Sequence, residues 1–327
     1  MQSILMALIL TCAVAPAGDA KKRATYQIIG KIGQSDGTPF RGVTPLVFLH
    51  GAITPFNAQA QVGPDGKFKF KNIPAGTYNL IAAVPQLGEM RKTIEVGPSF
   101  ADSSGKITTT IVFERALLLE KRETVSAVEL SVSEAAKEEY LRALDCVKRQ
   151  DIKGAIARLK KAAEISPQFA IAWNHLGTIA YQTREYGQAE EYFREALRQN
   201  PEAYAPLVNL GGALLSLNKF QESLAVNLEA VKARPGDPLA QAQLGKSYFF
   251  LGRLDDAEMP LKRAKALDPS HFSHPQLMLI KIYLRKSQLP AAIAEMEEFL
   301  RLHPDSEFAP QIRRVLETAR SESSAKP

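Results

Sequence analysis

Prolines 167, 201, 235 and 269 stand 34 residues apart, and Pro304 follows 35 residues later. A fixed period of this length signals stacked supersecondary units, each too small to bury its apolar side alone and each covered by its neighbours. The clearest unit closes at Pro201 and reads AIAWNHLGTIAYQTREYGQAEEYFREALRQNP over residues 170–201. Trp173, Leu176, Gly177 and Ala180 fall at helical spacing on one face of a first helix. Tyr186, Ala189, Phe193, Ala196 and Leu197 do so on a second. Between them Thr183-Arg184-Glu185 leaves room only for a tight helix–turn–helix.

Aligned on the closing proline, small residues recur in columns. One column reads Ala143, Gly177, Gly211, Gly245, then Ile280; a second reads Ala155, Ala189, Ser223, Ala257, Ala292; a third reads Ala162, Ala196, Ala230, Ala264, then Phe299. Small side chains let helix backbones approach and leave gaps that larger neighbours fill. The opening Trp173-x-x-Leu176-Gly177, an aromatic before the middle Ala, a late Ala and a closing Pro together resemble the tetratricopeptide repeat family. The resemblance covers roughly residues 134–306. It implies an all-α solenoid of five repeats, at about 134–167, 168–201, 202–235, 236–269 and 270–304. The end copies depart most: Arg142 stands where Leu176 stands, and Ile280 and Phe299 replace small residues. A capping helix is expected over 307–320, with Ile312, Val315 and Leu316 covering the last repeat and Arg313, Arg314 and Glu317 wet. A disordered tail is expected at 321–327. Pro206, Pro275, Pro290 and Pro310 fall in first helical turns, where they are tolerated. Pro260 instead falls inside a second helix and should bend it.

Residues 24–115 have another character. Thr, Val, Ile, Phe and Tyr alternate with polar residues between Gly, Pro and Asp punctuation, the pattern of strands. The spacing predicts strands over Tyr26–Ile32, Val43–Leu49, Lys67–Asn72, Thr77–Val84, Met90–Val96 and Ile107–Phe113. In Gly63-Pro64-Asp65-Gly66, Pro presets φ and Gly accepts a positive φ, so the chain turns there, and Phe68 and Phe70 then share one face. Short strands at this spacing favour a small sandwich. The string D-G-x-F-x-F-x-x-I-P-A-G-T-Y-x-L from Asp65 to Leu80, with Gly30-Lys31-Ile32 as an opening strand, resembles the regulatory-type domain of carboxypeptidases, a transthyretin-like β-sandwich. Surface-protein and starch-binding-like sandwiches share the outline, and an immunoglobulin-type sandwich is the alternative fold. A charged connector spans 116–133, and Ser133 is placed to cap the first repeat helix.

Residues 1–20, MQSILMALILTCAVAPAGDA, carry an apolar run before small residues, with Ala15-Pro16-Ala17 as a cleavage site. This pattern fits a secretory signal and is short for a transmembrane helix. Met1-Gln2-Ser3 lacks the usual basic residue, and an uncleaved anchor or a disordered apolar leader are the other readings. Export would remove Cys12 and leave Cys146 as a lone thiol, with no internal disulfide. The formal charge of +6 is spread along the chain and does not point to nucleic acid.

No His-Glu-x-x-His, Gly-x-Ser-x-Gly or phosphate-binding Gly loop occurs. No catalytic group, cofactor or metal is expected. His271 and His274 are three residues apart but bracket a loop without a third ligand in sequence reach. The catalytic zinc of carboxypeptidases belongs to a different domain, so the β-sandwich resemblance implies no peptidase. First helices of successive repeats should line a concave trough. The residues expected there are Asn174, Thr178, Tyr181 and Gln182; Val208, Gly212, Leu215 and Ser216; Lys246, Phe249 and Phe250; and Leu277, Lys281, Leu284 and Arg285. Aromatics with amides and cations suit an extended protein or peptide segment, and Lys246, Lys281 and Arg285 favour an acidic one. The expected function is a non-enzymatic interaction scaffold of the bacterial cell envelope. The alternative is carbohydrate or cell-surface binding through the sandwich.

Overall fold

The computed structural model describes residues 24–36, 40, 43–52, 55–84, 88–113 and 131–324. The expected leader at 1–20, most of the 116–133 connector and the end of the tail lie outside the described residues.

Among the described residues, seven strands form two sheets. Strands β1 (Thr25–Gln34), β4 (Lys67–Pro74) and β7 (Lys106–Phe113) make one, in the order β4-β1-β7, with β1 antiparallel to β4 and parallel to β7. Strands β2 (Leu46–Gly51), β3 (Asn57–Gln61), β5 (Gly76–Val84) and β6 (Gly88–Val96) make the other, all antiparallel, in the order β3-β2-β5-β6. Alternating residues of both sheets, among them Ile28, Ile32, Val47, Leu49, Phe68, Phe70 and Leu80, meet in one buried core. All six expected strands are present. β3 is additional: Asn57-Ala58-Gln59-Ala60-Gln61 has no β-branched or aromatic residue, and only Ala60 is buried. Phe68 packs where a Cβ on Gly30 would lie 2.0 Å from its ring, so that strand position must stay bare.

Eleven helices follow among the described residues. They pair as α1 (Glu134–Lys148) with α2 (Ile152–Ile165), α3 (Ala170–Gln182) with α4 (Tyr186–Gln199), and α5 (Tyr204–Ser216) with α6 (Phe220–Ala233). Next come α7 (Pro238–Phe250) with α8 (Leu254–Leu267) and α9 (Pro275–Arg285) with α10 (Leu289–Leu302). A single helix, α11 (Ala309–Ser324), closes the array. Ser133 caps α1 by accepting from the Ala136 N–H. The second and third small-residue columns are fully buried throughout, Ser223 and Phe299 included. Beneath Gly177 lies the Phe193 ring and beneath Gly245 lies Leu261, each too close for a Cβ. The third glycine of that column, Gly211, meets the amide of Asn227 instead, which hydrogen-bonds Ser223 and Ser247 inside the array.

Two repeating devices are not visible in the apolar pattern. Each turn within a helix pair passes through one left-handed residue: Gln150, Arg184, Asn218, Gly252 and Ser287. Also, the carbonyl of a closing proline accepts a side-chain hydrogen bond from the following helix: Trp173 to Pro167, Gln241 to Pro235 and Gln276 to Pro269. Those carbonyls have no helical partner, so the side chains satisfy them. Pro260 lies inside α8 as expected. In α11 Ile312, Val315 and Leu316 are buried while Arg313, Arg314 and Glu317 are exposed, but the helix runs on to Ser324 through the start of the expected tail.

Candidate functional site

The trough does not stand open. The β-sandwich sits over it and leaves a chamber of about 1990 Å³ between sheet and helices. Three joints hold it there. Gln182 Nε2 donates to the Gly51 carbonyl at 3.1 Å. Asp268 accepts from the Thr93 N–H at 3.3 Å. Asp305 accepts from the Ser99 N–H at 2.9 Å, close to Gly97, where a Cβ would lie 2.7 Å from the same carboxylate. A fourth contact pairs Glu95 of β6 with His303.

All of the expected trough residues line this chamber, from Asn174 on α3 through Val208 and Leu215 on α5 to Lys281 and Arg285 on α9. Their roles differ from one another. Thr178 donates to the Asn174 carbonyl, and Asn174 accepts from Asn209 of the next repeat at 3.1 Å. Ser216 donates to the Tyr181 hydroxyl at 3.3 Å, again across repeats. Gln182 is already committed to the sandwich. Val208 and Leu284 are buried between helices. The adjacent phenylalanines divide the work. Phe249 is 5% exposed and packs into the last core with the Arg285 guanidinium over its ring. Phe250 is 47% exposed and stacks on Phe220 at 4.8 Å. Phe249 is therefore a packing residue and Phe250 the one that presents a ring, since consecutive positions on a helix cannot face one way.

Electrostatics distinguish one end of the chamber. Burial, reinforced by the facing Lys281, lowers the Lys246 ammonium to about 8. Among the described residues no carboxylate pairs with Lys246. Nearby, burial lowers His271 and His274 to about 3, with Lys246 contributing to both. At the other end, burial and His50 lower His175 to about 4. The chamber's acids are largely engaged in the joints: Glu95 on His303, Asp268 on Thr93 and Asp305 on Ser99. The sequence spacing of His271 and His274 suggested an isolated pair. The fold instead turns His271 onto Ser273 and sets His274 against His303 and Glu95.

The helix pairs and their buried small-residue columns define a tetratricopeptide-like solenoid. Residues 140–204, 176–238 and 208–272 match the family model described as tetratricopeptide repeat. The chain is 32% identical over 96 residues to heat shock protein STI1 of Saccharomyces cerevisiae, covering 29% of this chain and 16% of that one. It is 32% identical over 99 residues to protein FlbA of Caulobacter vibrioides, covering 30% of this chain and 16% of that one. The aligned regions thus span under a fifth of those relatives' length. Among solved structures, YrrB, titled a TPR protein with an unusual peptide-binding site, superposes with a TM-score of 0.47 at 22% identity, covering 58% of this chain and 100% of that one. No helix among the described residues is long and apolar enough to cross a membrane.

Proposed function

We propose that this protein is a non-catalytic protein–protein interaction scaffold of the bacterial cell envelope, and that it takes an extended acidic segment of a partner into the chamber between repeats and sandwich. The observation that carries the reading is Lys246: an ammonium held inside the chamber against Lys281 with no acid paired to it among the described residues. A half-buried cation without a counter-charge is unfavourable, and a carboxylate from outside relieves it. Phe250, one turn further along the same helix, and Tyr181, elsewhere on the chamber wall, supply partly exposed rings, and the Asn174 and Ser216 side chains add polar contacts. The chamber exceeds the about 300–1,000 Å³ of a small-molecule pocket, as a peptide requires. The envelope location rests on the leader pattern of residues 1–20. The sandwich, with its Asp65–Leu80 string, is read as the carboxypeptidase regulatory-like module that covers the trough. The glycan reading finds less support: Tyr78 is 3% exposed, and Tyr26 packs partly buried against the same core, so neither offers a sugar platform.

The test is binding of fluorescent peptides of ten residues or so, rich in Glu, in Lys or in neither, to the full chain. Selective binding of the acidic set, weakened by Lys246→Ala and by Phe250→Ala and decreasing with salt, supports the reading. Equal binding of all three sets contradicts it.

A further inference from the structure

The fifth repeat is entered by an unusual loop. The loops into the three preceding repeats, 166–169, 200–203 and 234–237, have four residues each; the loop 268–274 has seven. The single 35-residue step between closing prolines and the shortened α9 together supply the difference. The longer loop reaches the sandwich, for Asp268 at its start accepts from Thr93. At its end His274 is held at φ 48° and ψ 64°, a left-handed conformation uncommon for a side chain with a Cβ. Strain of this kind collects where a side chain must be aimed.

What His274 is aimed at is His303, which directly follows α10. The two rings meet edge to face with centroids 4.4 Å apart. Glu95 arrives from β6 and bonds His303 Nδ1. One donor atom from each of Glu95, His274 and His303 lies within 4.8 Å of the other two. His303 is 0% exposed, and its Nε2 is buried with no hydrogen-bond partner; His274 Nδ1 is likewise buried and unpartnered. Phe299 and Phe308 flank His274 and keep water away from that side. A plain Glu95–His303 ion pair accounts for His303 Nδ1 and leaves both other nitrogens orphaned, each at the cost of an unmade buried bond.

We propose that Glu95, His274 and His303 hold a divalent transition ion of the zinc class, which ties strand β6 of the sandwich to the last repeat of the array. Two imidazoles and one carboxylate form a three-ligand set suited to such an ion, with bonds of about 2.0–2.2 Å. Glu95 and His274 also line the chamber, so a fourth position faces it and accepts water or a carboxylate. Lys246 lies within electrostatic reach of His274 and opposes a cation there, while the Glu95 charge favours one. The inference does not rest on the peptide reading, since the three ligands meet whether or not the chamber is filled.

The experiment uses tag-free full chain stripped with a chelator, then titrated with Zn²⁺ against a chromophoric competitor and with Co²⁺ for its visible d–d absorption. One equivalent should bind. His274→Gln and Glu95→Gln should each weaken it by at least about tenfold, while His271→Gln, whose Nδ1 is engaged by Ser273, binds as before. Zn²⁺ should raise the melting temperature of the unaltered chain and not that of His274→Gln. If Glu95→Gln fails to fold, the half-buried loop residue His274 carries the test alone. Absence of stoichiometric binding by the unaltered chain overturns the proposal, as does undiminished binding by folded His274→Gln.

Discussion

Asp305, just past the last repeat, accepts a hydrogen bond from the Ser99 N–H at 2.9 Å, although 206 residues separate them in the chain. This carboxylate is one of several polar groups that clamp the front domain over the concave face of the helical array. Its two partners on Ser99, the N–H and the hydroxyl, are exposed. Exposed bonds of this kind contribute little singly. Asp305→Ala alone should therefore leave the sandwich in place, while Asp305→Ala combined with Asp268→Ala, Gln182→Ala and Glu95→Ala, which also removes the contact with His303, should free it. Small-angle scattering should report an increased radius of gyration for the quadruple variant with an unchanged helical circular dichroism signal.

Gly177 marks where α3 and α4 touch. A Cβ there would lie 2.5 Å from the Phe193 ring. Phe193 is among the largest fully buried side chains and has nowhere to move. Gly177→Ala should cost about 1–3 kcal/mol, the usual penalty for overpacking, measured as a lowered midpoint in urea.

Pro260 sits in the interior of α8, where it removes a backbone hydrogen bond from the helix. Its neighbour Met259 is 72% exposed, so local repacking is unconstrained on that side. Pro260→Ala should raise stability by up to about 3 kcal/mol, read as a higher urea midpoint.

Ser287 occupies the left-handed turn position that the fourth repeat fills with Gly252. Its φ of 59° is one that glycine adopts without a Cβ clash. Ser287→Gly should stabilise by about 0.5–1 kcal/mol, the relief of that clash less the chain entropy glycine adds. Thermal unfolding checks it.

Lys246 gives a pH dependence with a definite sign. Burial and Lys281 lower its folded value to about 8 from 10.5. Between those two values the unfolded chain holds a proton that the folded chain has released, so this residue makes stability rise with pH across pH 8 to 10.5. Below pH 8 the penalty is fully present, on the order of 1 kcal/mol after screening. Lys246→Met should stabilise the chain at pH 7 and remove this rise. Denaturation midpoints at pH 7 and pH 10 decide it.

The array was legible because its signal repeats. Five copies of a helical face, the small-residue columns and the closing prolines fix helix pairs, and Ser133 marks the first cap. The sheets were legible where β-branched and aromatic residues alternate, but not at β3, whose alanines and amides carry no strand preference. The trough residues were found by phase on the helix. Phase alone cannot separate Phe249 from Phe250, because the burial of one depends on α9 and Arg285. The cover over the trough was not legible at all. Its joints use the Gly51 carbonyl and the Thr93 and Ser99 N–H groups, and backbone groups leave no mark in a sequence. Nor does sequence spacing bring Glu95 to His303.

The account stands on the sandwich lying over the concave face of the repeats. The direct measurement is intramolecular crosslinking of a Ser99→Cys, Asp305→Cys double variant in a Cys146→Ser background, with residues 1–20 deleted and the protein dilute and monomeric. The account predicts near-complete formation of a disulfide between positions 99 and 305 within one chain, retained helical structure, and undiminished binding of the acidic peptide set. Monomers that stay reduced under oxidation, or that crosslink only between chains, would contradict it.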